Sequence, residues 1–138
     1  MKLLLSSECF KELVRGSATS RRSVFSAMES LTKKNHLFVL ALPSLENLLA
    51  KESDPVKREI LWNQAKNLFL EFLPVRKEEI SLAIRLSSST SLRWEEWVEV
   101  ATASLADLDG ILCLDRKWKE QSLVKILLAQ EVDLDGVA

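Results

Sequence analysis

Five short apolar runs, spaced by segments with helical periodicity, constrain this chain more than any other feature. The runs fall at residues 2–5, 37–41, 71–75, 111–114 and 124–128. Each is too short for a buried helix and has the length of a strand. Residues 37–41 are apolar without a break, as in a strand covered on both faces. Pro74 inside the third run makes that strand an edge strand. Between the first two runs lie two helical segments, 8–15 and 21–33. Further helices are expected from Pro43, over 55–70 behind the cap Asp54, over 77–87 and over 92–106, with a single helical turn at 117–121. In the helix from Pro55, the residues Ile60, Leu61, Ala65, Leu68 and Phe69 should face inward. Strands alternating with helices imply an α/β fold with a parallel sheet covered by helices on both faces. One domain over residues 1–130 accounts for this pattern, followed by a loose polar tail over 131–138. In such sheets, ligands bind beyond the carboxyl ends of the strands.

Composition narrows the chemistry. The net charge is −1, with 19 Lys and Arg against 20 Asp and Glu. There is no overall basic field to collect nucleic acid without a local site. Three dispersed glycines, Gly16, Gly110 and Gly136, exclude a glycine-rich phosphate loop. A single histidine, His36, argues against a histidine zinc site or a serine–histidine triad. The apolar start at residues 1–5 stops at Ser6, short of the roughly 7–15 apolar residues of a secretory core. No stretch has the length of a membrane span. A cytoplasmic protein with two free thiols, Cys9 and Cys113, is the expectation.

Any catalysis here therefore falls to carboxylates. Four segments place polar or acidic residues near strand ends: Ser6-Ser7-Glu8 after the first strand, Leu45-Glu46-Asn47-Leu48-Leu49 after the second, Glu95-Glu96-Trp97-Val98-Glu99 at a helix start, and Leu114-Asp115-Arg116 after the fourth strand. Each residue has two readings. Glu96 and Glu8 are either site residues or ordinary first-turn acids stabilising a helix. Asp115 is either a ligand or the cap of the turn after it. Ser6 is either a site hydroxyl or a plain turn residue. Trp94 and Trp97 either stack on bases or pack in the core.

In their order and spacing these four segments resemble the PIN domain, a family best known as the toxin component of bacterial toxin–antitoxin pairs. The resemblance runs from about residue 2 to 128. It implies a three-layer α/β/α fold with a five-stranded parallel sheet in the order 3-2-1-4-5. It implies Mg²⁺- or Mn²⁺-dependent cleavage of RNA by a carboxylate cluster. The cations are hard and prefer oxygen ligands. Bound metal neutralises the scissile phosphate and activates water. On this resemblance Glu46, Glu96 and Asp115 match the second, third and fourth acids. Glu96 replaces an Asp five residues before Ala101. Ser6 stands where the first Asp belongs, which removes one negative charge from the centre of the site. Glu8 is positioned to compensate, giving the ligand set Glu8, Glu46, Glu96 and Asp115, with Ser6 and Arg116 contacting substrate. The implied partners are RNA, an antitoxin-like protein and a second copy of the chain, paired through the helices over 8–33. The expectation is a toxin-type ribonuclease with weakened or absent catalysis, or an inactive PIN scaffold that binds RNA or protein.

Overall fold

The structure, a computed structural model, describes residues 1–87 and 91–135, with side chains as far as Val132. Residues 88–90 of the polar serine loop and 136–138 of the tail lie outside the described residues. The chain runs β1 (Lys2–Leu5), α1 (Ser7–Arg15), α2 (Ala18–Lys33), β2 (Leu37–Ala41), α3 (Leu42–Lys51), α4 (Pro55–Leu68), β3 (Glu71–Leu73), α5 (Lys77–Leu86), α6 (Trp94–Leu105), β4 (Gly110–Cys113), a 3₁₀ turn (Arg116–Glu120), β5 (Ile126–Leu128) and α7 (Ala129–Asp135). The five strands form one parallel sheet in the order β3-β2-β1-β4-β5. The expected three-layer α/β architecture and strand order are both present.

Alternation along the strands builds two cores. Leu3 and Leu5 of β1, Phe38 and Leu40 of β2 and Leu112 of β4 face a layer containing Cys9, Phe10, Val24, Met28 and Leu31. Leu4, Val39, Ile111 and Cys113 face the opposite layer, built on Ala83, Trp97, Val100, Ala101 and Trp118. Burying both faces is what makes these strands read as continuous apolar runs. β1 lies at the centre, with β2 and β4 on either side, so its carboxyl end is the focus of the sheet. Asn35 turns the chain from α2 toward β2 at φ 70°, a conformation that Asn tolerates better than most residues.

Two expectations change. Glu131 to Asp135 are not part of a loose tail: they continue α7. Ala129 and Val132, one turn apart, are buried in the same core as Val24, Ala27, Met28 and Leu31 of α2. The polar composition concealed this short apolar stripe. In α4, Ala65 is buried as expected, and so is Phe69 just beyond the helix, but Ile60 and Leu68 are 51% and 41% exposed. Helical periodicity defines a face, and this chain does not cover all of it.

Candidate functional site: a cleft at the carboxyl end of the sheet

A cleft of about 520 Å³ opens at the carboxyl end of the sheet, between α1, α3 and α6. Ser7 and Lys11 of α1, Ser44 and Asn47 of α3, and Trp94 and Glu99 of α6 all line it. Lys11, Arg15, Lys51 and Arg93 bring positive charge to its walls.

The end of β1 is closed, not open. Ser6 is fully buried; its backbone N–H donates to Leu112 O at 3.1 Å, extending the β1–β4 ladder. Its Oγ accepts from Cys9 N at 3.2 Å and caps α1. Serine is among the best residues for that position, because its oxygen satisfies an otherwise unpaired helix N–H. The hydroxyl at the central position is therefore engaged with backbone and shielded from solvent. Burial pushes the adjacent Cys9 thiol up to about 12, with Glu8 and Glu99 contributing, and moves Cys113 upward as well. Both are free thiols.

Glu8 is half-buried and bound to backbone. Its Oε1 accepts from Leu114 N at 2.8 Å and Asp115 N at 3.2 Å, tying α1 to the chain leaving β4. Glu46 lies on the exposed side of α3 and is not part of the cleft wall. Its neighbour Asn47 lines the cleft.

Glu96 is 1% exposed. Its Oε1 accepts from Arg93 N at 2.8 Å, closing the first turn of α6, and meets Lys117 Nζ at 2.9 Å. Asp115 is exposed and caps the 3₁₀ turn, its Oδ1 accepting from Lys117 N at 2.9 Å. Arg116 pairs with Glu131 of α7 at 2.6 Å. The tryptophans divide: Trp97 is buried in the core, while Trp94 is 43% exposed on the cleft.

Sequence reasoning missed two residues. Glu99 is 4% exposed and lines the cleft. It accepts from Ser7 N at 2.6 Å and Ser7 Oγ at 2.7 Å. Burial pushes its carboxyl up to about 7. The Ser7 bonds oppose that rise, and the nearby Glu96 and Glu8 add to it. An acid three residues after Glu96, on an otherwise apolar helix, was the available clue. Lys117, the second, follows Asp115 by two residues, and no local pattern marks its pairing with Glu96.

The metal implied by the resemblance does not fit this donor set. A hard divalent cation needs several free oxygen ligands converging on one point. Here the first position is a buried capping serine, the second a glutamate on the exposed side of α3, the third a glutamate on an ammonium, and the fourth a capping aspartate. Among the described residues, no group of three or more His, Cys, Asp or Glu residues is arranged to hold a metal ion.

The strand order, the central β1 and the helical layers on both faces define a PIN-like fold. The solved structures that the chain resembles agree. It superimposes on VapBC2 from Rickettsia felis, bound to a promoter DNA fragment, with a TM-score of 0.69 and 12% identity, over 93% of this chain and 98% of that one. FitAcB from Neisseria gonorrhoeae gives 0.66 and 16%, over 94% and 98%. A toxin–antitoxin complex from Klebsiella pneumoniae gives 0.67 and 13%, over 92% and 97%. At these identities the likeness is one of fold. No family model matches the chain, and no curated protein matches it.

Proposed function

We propose that this chain is a toxin-type PIN scaffold whose metal-dependent ribonuclease chemistry is lost and which acts by binding a protein partner of the antitoxin kind. The observation that carries the loss is the condition of the acid positions described above: the first is a buried serine, the third and fourth are engaged within the protein, and the second, Glu46, lies outside the cleft wall. Two features support the partner. The similar structures are toxin–antitoxin assemblies. In addition, Phe25 of α2 is 54% exposed beside a groove of about 980 Å³ shared with α4, where Leu68 is also exposed. Exposed apolar groups gathered at a groove mark an interaction surface more often than scattered ones do. No helix among the described residues is long and apolar enough to cross a membrane. A cytoplasmic location goes with this reading, because both cysteines are free thiols.

The test is RNA cleavage by the purified chain with Mn²⁺, on single-stranded and structured RNA. The expected result is no cleavage above that of Asp115→Asn. Mn²⁺-dependent cleavage abolished by Asp115→Asn would overturn the proposal. For the partner, co-expression with the product of the adjoining gene should yield a complex that Phe25→Asp disrupts. A homodimer broken by the same change, with no partner bound, would assign the face to a second copy instead.

A further inference from the structure

A carboxylate removed from water requires a compensating charge or a full set of hydrogen bonds. Glu96 is 1% exposed, and its Oε2 has no hydrogen-bond partner among the described residues. Two cationic side chains approach its Oε1. The Arg93 guanidinium lies at 3.6 Å but is 68% exposed, so water screens most of its charge. The Lys117 ammonium lies at 2.9 Å and is only 22% exposed.

Lys117 is also held by the residue at the fourth acid position. Asp115 Oδ1 accepts from the Lys117 backbone N–H at 2.9 Å. The next residue, Trp118, is fully buried and fixes the 3₁₀ turn against the core. Two positions that a metal-dependent site would use for ligands therefore converge on one lysine: one binds its backbone, the other its side-chain charge.

We infer that the Lys117 ammonium is the resident cation of this site and supplies the positive charge that a divalent metal would otherwise supply to Glu96. The inference rests on the reading of the site as metal-free. It goes beyond loss of function, because it assigns a built-in replacement to a named side chain.

The test compares melting temperatures in EDTA and in millimolar MnCl₂ for the unmodified chain, Lys117→Met and Lys117→Arg. The unmodified chain should melt at the same temperature in both. Lys117→Met, which keeps much of the apolar stem but not the charge, should fall by about 10 °C in EDTA. It should recover part of that loss in Mn²⁺, as a divalent ion takes the vacated position. Lys117→Arg should stay close to the unmodified chain and show no Mn²⁺ response. Lys117→Gln, which keeps a donor toward Glu96, replaces the Met variant if that variant does not fold. A Met or Gln variant as stable in EDTA as the unmodified chain would overturn the inference. So would a loss that Mn²⁺ does not relieve, since Lys117 would then be an ion-pair partner only. A Mn²⁺ shift in the unmodified chain is a different outcome: it would overturn the metal-free reading itself.

Discussion

Replacing Glu99 with glutamine should raise stability at pH 8 by about 2 kcal/mol, or about 7 °C in melting temperature, and leave it nearly unchanged at pH 4. The carboxyl group titrates near 4.5 when unfolded and is pushed up to about 7 in the fold. Between those values the folded state binds more protons than the unfolded state. Stability from this group is therefore fully present below pH 4.5 and is lost as pH rises through 7. A shift of this size corresponds to a ceiling of about 3 kcal/mol. Glutamine keeps an oxygen that can accept from Ser7 N and removes the charge. Its gain should be smaller than the ceiling, because the two Ser7 bonds are stronger to a carboxylate. Thermal melts of both proteins from pH 4 to 8 measure the effect, and groups common to both cancel in the difference. A glutamine variant less stable than the unmodified chain at pH 8 would contradict the burial-driven shift.

Restoring the first acid should damage the protein without reviving it. Ser6→Asp is expected to cost about 3 kcal/mol at pH 8, a fall of about 10 °C, with a smaller loss at pH 5. Aspartate is a good helix cap in water. Ser6, however, is fully buried, and it caps the turn that carries Cys9, whose thiol already feels Glu8 and Glu99. A new carboxylate there would be desolvated among like charges. Nor would it complete a metal site, because Glu96 still holds Lys117 and Asp115 still caps the 3₁₀ turn. Melting curves and the RNA cleavage assay with Mn²⁺ check both halves. Cleavage by Ser6→Asp alone would mean that the remaining positions are intact.

The fold was legible because its information is local. Runs such as Leu3-Leu4-Leu5 and Ile111-Leu112-Cys113 specify strands buried on both faces, and that alone demands helical layers above and below. The strand order came from the family resemblance, and the sheet has that order. The site was less legible, because a residue type does not reveal which way a side chain points or what it meets. Glu46 and Asn47 are adjacent in sequence, yet only Asn47 lines the cleft. Glu96 falls at the expected spacing before Ala101, but its partner Lys117 lies twenty-one positions away and is reached only through the packing of the 3₁₀ turn. Ser6 was identified as the decisive substitution. Its burial as a helix cap depends on the closeness of α1 to β4, which no local pattern encodes. Glu99 shows the same limit from the other side: its environment, not its spacing, makes it chemically distinctive.

Binding of a divalent cation at the carboxyl end of this sheet would separate a metal-dependent enzyme from a metal-free scaffold. Calorimetric titration of the unmodified chain with Mn²⁺ addresses that directly. The prediction is no saturable heat up to millimolar metal, with an Asp115→Asn variant giving the same trace. A saturable isotherm near one ion per chain, lost in Asp115→Asn, would contradict it.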